Sequence, residues 1–212
     1  MTQDEQAGET QEQAPAAEVK PARPARAEKA EAKPVAKPAP PEGSIAGVFK
    51  EVLPGVTFEA YQGLSDIIVE VQREDIPKVM PVAKDDARLD LTFLRCLFGV
   101  DHGADGFEVV YQLVSIEKGH EVTIKTRLPR DDAKVSSVTP VWNAANWHER
   151  ETRDMFGIDF EGHPHLLPLL LPEDMTDHYP LRKDNPLAEI EEWQGELVAA
   201  GGGGDDDEEG EE

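Results

Sequence analysis

Across 212 residues the chain carries 44 acidic against 21 basic side chains, a formal charge of -23, and a single cysteine. Residues 1–43 contribute -2, the acidic run 205–212 contributes -7 and the stretch between them -14. With no basic stripe to release counterions, this balance argues against binding nucleic acid or an anionic lipid surface. One thiol excludes an internal disulfide, and it excludes an iron–sulfur cluster held by this chain alone, which takes about four thiolates.

Residues 1–43 draw mainly on Ala, Pro, Lys, Glu and Gln and hold no aromatic residue. Such a stretch buries too little apolar surface to offset chain entropy, so it is expected to be a disordered arm with polyproline character. Its polar start lacks the apolar core of a secretory signal, and no apolar run reaches the roughly 20 residues of a membrane-spanning helix. Glycines 201–204 and the acids after them read as a flexible joint and an acidic solubility tail. Between the tails we expect a folded domain over 44–156 and an extended partner-binding segment over 157–200.

Ser44 can cap a short helix in which Ile45, Val48, Phe49 and Val52 fall at helical spacing before Pro54 and Gly55 end it. TFEAYQ (57–62) and DIIVEVQ (66–72), separated by Gly63, Leu64 and Ser65, predict a hairpin. A second helix is expected from Asp75 to about Asp86, with Pro77 in its first turn and Pro81 weakening its interior. The apolar stretch 89–100, which contains Cys96 as an expected inert buried thiol, reads as a short helix leading into a strand. FEVVYQLVSI (107–116) and HEVTIKTRL (120–128) give the clearest strand pair, with Val122 and Ile124 facing one way and Thr123, Lys125 and Arg127 the other. Thr139 and Pro140 then predict the cap and first turn of a long helix reaching Met155. The order implies an α+β fold: a small antiparallel four-stranded sheet with helices on one face, followed by an extended irregular segment.

The most informative stretch is HERETRDMFGIDFEGHPHLLPLLLPEDMTDHYPLRKD (148–184). It opens as a charged helix, breaks at Gly157, and runs on through prolines with much apolar material that something must cover. His148-Glu149 begins like a zinc-hydrolase helix, but Thr152 stands where the second histidine is needed. His163 and His165 flank Pro164, which suits a hydrogen-bonded loop better than chelation, and His178 has no ligand-like spacing to either. There is no phosphate-binding glycine loop and no nucleophile elbow. Glu149 with Arg153, and Arg150 with Asp154, stand four apart as exposed helical ion pairs, each worth only ~0.3–0.5 kcal/mol. The competing reading is that this face meets another protein through Trp142, Trp147 and its arginines. Arg182, Lys183 and Asp184 make either a solvated turn or a clamp on a partner.

NWHERETRDMFGIDFEGHPHL (146–166), then LPEDMTDHYPLRKD (171–184), resembles the signature of the C-type subunit of proton-pumping NADH-quinone oxidoreductase, respiratory complex I. Weaker likeness extends through GVDHG (99–103), FEVVYQL and SVTPVWNAANW, covering roughly residues 45–186. The chain departs from the family pattern at Leu167 and Pro168, at Met175, and in the extra residue of HYPLRKD. The resemblance implies a peripheral-arm protein on the cytoplasmic side of the cell membrane, packed against the large D-type subunit and near the cluster-bearing B-type one. It implies that this chain binds no cofactor, while FMN and iron–sulfur clusters sit in partner subunits that carry electrons from NADH to quinone. The partner interface is then expected at Glu149, Arg150, Glu151, Asp154, Phe156, Gly157, His163, Pro164, Arg182, Lys183 and Asp184. The alternatives are the equivalent component of a membrane-bound hydrogenase or another complex-I-like dehydrogenase, and, from a different class, a stand-alone metalloenzyme using the histidines.

Overall fold

The computed structural model describes residues 37–172 and 178–185. The expectations placed on residues 1–36, 173–177 and 186–212, including Met175, the glycine joint and the acidic tail, lie outside these described residues.

Helix α1 (Ile45–Val52) forms where expected and turns Ala46 and Phe49 inward, although Ser44 at its N-cap makes no side-chain capping bond. Strands β1 (Phe58–Gln62) and β2 (Ile67–Val71) form the predicted antiparallel hairpin, Phe58 opposite Val71. Helix α2 (Ile76–Asp85) tolerates Pro77 in its first turn and Pro81 within, and buries Ile76, Val79, Met80 and Ala83 along one face. Strands β3 (Phe93–Asp101), β4 (Phe107–Ser115) and β5 (His120–Leu128) follow.

The expected four-stranded antiparallel sheet is a five-stranded mixed one, ordered β1-β2-β5-β4-β3. Two features account for the difference. Residues 93–101 are strand throughout, with no leading helix, and a register shift between Leu94 and Cys96 lets both Leu94 and Leu97 reach the core although they stand three apart. That bulge removes the two-residue alternation that would have marked the strand. Second, β2 pairs with β5 in parallel, Ile67 opposite Val122, because α2 and the β3–β4 hairpin supply the long connection that parallel strands need.

One sheet face carries Val69, Leu97, Val109, Tyr111, Leu113, Ile124 and Leu128 into a core shared with α1 and α2. The opposite face is polar toward its middle, where the buried Glu108 carboxylate meets Arg127 at 3.1 Å and Lys125 at 3.7 Å. Gly106, at φ 89°, turns the chain between β3 and β4, and a Cβ there would lie 2.2 Å from the Leu128 carbonyl oxygen, so no other residue fits.

Strand β6 (Lys134–Ser136), helix α3 (Ala145–Phe156) and strand β7 (Asp159–Glu161) close the domain, with β6 and β7 pairing in parallel. The long helix predicted from Thr139 starts only at Ala145. Val141 and Trp142 bond back to the Val138 carbonyl in a separate turn, and Trp142 is buried with its indole N–H on the Leu91 carbonyl at 3.2 Å. Burying Trp142 pulls residues 139–144 off the helix axis, and Thr139 turns its hydroxyl to Glu149 instead of capping.

Residues 37–40 precede α1 and meet the β1–β2 hairpin, with Lys37 as the anchor. Its ammonium bridges Glu59 at 2.9 Å and Glu70 at 2.7 Å, lies 4.8 Å above the Tyr61 ring, and Gln62 donates its amide to the Pro38 carbonyl.

Candidate functional site

Helix α3 has two carboxylates that turn inward. Glu149 is fully buried and accepts the Ser137 hydroxyl at 2.6 Å, the Val138 amide at 2.7 Å and the Thr139 hydroxyl at 3.2 Å. Burial pushes its carboxyl above the ordinary value, and the three donors only partly oppose that push. Asp154, also buried, accepts three successive amides, those of Leu169, Leu170 and Leu171, at 2.7, 2.8 and 3.3 Å.

Arg150 extends to the loop after β7, donating to the Leu167 and Pro168 carbonyls at 2.9 and 2.8 Å while its guanidinium stacks 5.4 Å from the Trp147 ring. The two exposed ion pairs predicted on α3 are therefore replaced: Glu149 and Arg150 hold neighbouring backbone, and the nearest cation to Asp154 is Arg153 at 3.9 Å. For Glu149 the buried Val138 amide decides the outcome, since a buried backbone donor left unmade costs more than an exposed pair returns.

Gly157 ends α3 in the left-handed region at φ 71°, its amide on the Arg153 carbonyl at 2.7 Å. A Cβ here would lie 2.4 Å from the Arg182 guanidinium and 2.6 Å from the Tyr179 ring. The bareness of glycine thus admits residues 178–185, which lie back on the domain. Arg182 donates to the Phe156 carbonyl at 2.6 Å and lies over the rings of Tyr179, at 4.1 Å, and Phe107, at 5.2 Å. Phe107 and Phe156 themselves meet edge to face in the core. The Lys183 amide bonds Asp101 at 2.8 Å, and Arg130 bridges Asp101 and Asp184, each at 2.9 Å. Burial raises the Asp101 carboxyl, but the amides of Lys183 and Gly103 and the Arg130 guanidinium outweigh it and hold it below the usual range.

His163 accepts the His165 amide on Nδ1 at 3.0 Å and donates from Nε2 to the Asn146 carbonyl at 3.3 Å, which fixes a neutral ring. Burial lowers its pKa in the same direction. His165 and His178 are exposed, and among the described residues no three His, Cys, Asp or Glu side chains converge as metal ligands. Cys96 is half-buried, and loss of solvent raises its thiol.

The residues expected at a partner interface thus divide. Glu149, Asp154 and Phe156 serve the interior, Gly157 and His163 shape the chain, and Arg150 and Arg182 hold backbone of their own chain. Glu151, Pro164, Lys183 and Asp184 are exposed. Sequence reasoning missed Asp101 and Arg130, whose role depends on contacts with residues more than fifty positions further along the chain. Of the two tryptophans expected to face a partner, Trp142 is buried and Trp147 is 61 % exposed, and the apolar segment after the helix leaves Leu170 59 %, Leu181 55 % and Leu167 49 % exposed.

The family model for the 30 Kd subunit of respiratory-chain NADH dehydrogenase matches residues 69–191, more than half of the chain. The chain belongs to that family. The NADH-quinone oxidoreductase C subunit of Roseiflexus castenholzii is 43 % identical over 146 residues, spanning 68 % of this chain and 83 % of that one. The NADH-quinone oxidoreductase C/D subunit of Pseudomonas fluorescens is 51 % identical over 88 residues, spanning 42 % of this chain and 14 % of its own length. Among solved structures, an archaeal respiratory membrane complex, the membrane-bound sulfane sulfur reductase, contains a chain 24 % identical with a TM-score of 0.60, covering 79 % of this chain and 97 % of that one. This last likeness concerns fold. No helix of the described residues in this 30 Kd-family chain is long and apolar enough to cross a membrane.

Proposed function

We propose that this chain is the C-type scaffold of the peripheral arm of NADH-quinone oxidoreductase, binding no cofactor itself and docking the D-type subunit, next to the B-type one. FMN, iron–sulfur clusters, NADH and quinone chemistry, and the proton translocation coupled to it, then belong to the assembly. The arm stands on the cytoplasmic side of the cell membrane.

The observation that carries this reading is the surface around α3 and residues 167–171. Trp147, Leu167 and Leu170 stay exposed while Arg150 holds the Leu167 and Pro168 carbonyls and Asp154 the amides of residues 169–171. Large apolar side chains held out on a fixed backbone, with an arginine over the tryptophan ring, have the composition of an interface centre. The relative from Pseudomonas fluorescens carries both letters, C and D, in the name of one polypeptide, which supports the D-type subunit as the neighbour.

The test is co-expression of the chain with the D-type and B-type subunits, followed by affinity capture and absorbance spectra of each fraction. We expect both partners to be captured, the free chain to lack flavin and cluster absorbance, and Leu170→Asp to abolish capture without changing the melting temperature. A redox group held by the free chain, or undiminished capture by that variant, refutes the assignment.

A further inference from the structure

The segment after α3 combines exposed leucines and prolines with a backbone that no long helix can satisfy, the profile of a ribbon that needs a neighbour to order it. Its contacts say otherwise. Two independent sets of bonds tie it to the chain's own body. The first set is the Asp154 carboxylate on the amides of residues 169–171, together with Arg150 on the carbonyls of Leu167 and Pro168. The second lies further along the chain: Leu181 amide to Met155 carbonyl at 3.2 Å, Arg182 to Phe156 carbonyl, Lys183 amide to Asp101, and Asp184 to Arg130. Nearly all of these bonds end on α3 or at the β3–β4 end of the sheet, elements held by the chain's own core.

We propose that residues 178–185 form a clasp that closes on this chain's own body before any partner is met, so that residues 167–171 are presented as a preformed docking loop. Three features make the clasp specific. Its centre is Arg182, whose planar guanidinium lies close to the rings of both Tyr179 and Phe107 while donating to the helix end at Phe156. Its seat exists because Gly157 carries no side chain. Its far end is tied by charge-assisted bonds, since Arg130 pairs with the buried Asp101, which also takes the Lys183 amide, and with Asp184. Anchors at four consecutive residues leave the apolar side chain of Leu181 pointing outward.

The partner such a surface fits, resting on the docking function proposed above, is the D-type subunit, with a complementary apolar recess that receives the loop as a rigid body. Preorganisation spares the ordering entropy that folding on contact would cost.

Hydrogen exchange on the purified full chain, alone, tests the clasp. The amides of Leu181 and Lys183, and those of Leu169 to Leu171, should exchange at least about tenfold more slowly than in an unstructured peptide. Arg182→Gln should speed exchange at Leu181 and Lys183 by about tenfold or more while the β4 and β5 amides of Tyr111 and Ile124 keep their protection. Free-peptide exchange at Leu181 and Lys183 that slows only when the D-type subunit is added overturns the clasp. So does unchanged exchange in Arg182→Gln, or parallel loss of protection in the sheet. A protected loop that fails to capture the D-type subunit would instead overturn the docking assignment and leave the clasp standing.

Discussion

Asp154 and Leu169 are fifteen residues apart in the chain, and the carboxylate of the first accepts the amide of the second at 2.7 Å. The same oxygen takes the next two amides, so one buried acid sets the path of three residues that have no helix or sheet of their own. Hydrogen bonds to a charged group contribute about 1.5–3 kcal/mol. Asp154→Ala should therefore lower the free energy of unfolding by about 2 kcal/mol in urea titration, because the three amides lose their acceptor. Asp154→Asn should lose less, having kept an oxygen. Equal stability for wild type and Asp154→Ala would mean that residues 169–171 find solvent without cost.

Glu149 makes an opposite prediction about pH. Its folded carboxyl is raised above the ordinary value, so the proton-bound form is favoured by folding. That contribution is fully present below the ordinary carboxylate pKa and is lost as pH rises through the raised folded value. Wild type should thus gain stability as pH falls through the raised value toward the ordinary carboxylate pKa, and Glu149→Gln should lack that slope. Asp101 acts in a separate, lower window: its folded value is depressed, so its contribution holds above the ordinary value and disappears as pH falls through the folded one. Denaturant titrations from about pH 8 to about pH 3 separate the two, and a wild-type profile parallel to that of Glu149→Gln above about pH 5 would refute the Glu149 assignment.

Much of the fold was legible in the sequence where local pattern and final environment agree. Val122 and Ile124 alternate inward with Lys125 and Arg127 outward, and the hairpin signal at Gly63 to Ser65 gave β1 and β2. The pattern failed where a distant contact outweighed it. Trp142 reaches Leu91 across fifty-one positions and draws residues 139–144 out of the expected helix, and the bulge beside Arg95 breaks the alternation of β3. The candidate site was legible as a stretch and illegible as a set of roles. Glu149, Arg150 and Asp154 have the spacing of surface ion pairs, and only the backbone groups that the fold brings beside them, the buried Val138 amide and the loop of residues 167–171, reveal why they turn elsewhere.

Gly157 predicts a steep response to the smallest substitution. Ala must adopt φ 71°, which costs about 1 kcal/mol by itself, and its Cβ must also displace Arg182 and Tyr179. We expect Gly157→Ala to destabilise the chain by more than that backbone cost alone. If paired with Arg182→Ala, the loss should shrink, since the colliding guanidinium is gone. A double-mutant cycle by urea denaturation measures this coupling, and strictly additive effects would show that the two residues do not share the space.

The border of the N-terminal arm gives a graded truncation series. Lys37 pairs with Glu59 and Glu70, and its bond helps lower the Glu70 carboxyl against the upward pull of burial. Tyr61, half-buried beside them and donating to Glu70, is pushed up to about 12, chiefly by loss of solvent. Removing residues 1–36 leaves all of these groups in place and should leave the melting temperature unchanged. Removing residues 1–40 deletes Lys37 and the Pro38 carbonyl that receives the Gln62 amide, and exposes the outer edge of β1. Because the Lys37 pairs are largely solvent-accessible, the loss should stay below about 1 kcal/mol. Edge strands left bare pair with other chains, so the same truncation should also raise the tendency to associate, read by light scattering as the concentration rises. Equal stability and equal scattering for the two truncations would place the true border of the domain at α1, where the composition alone had put it.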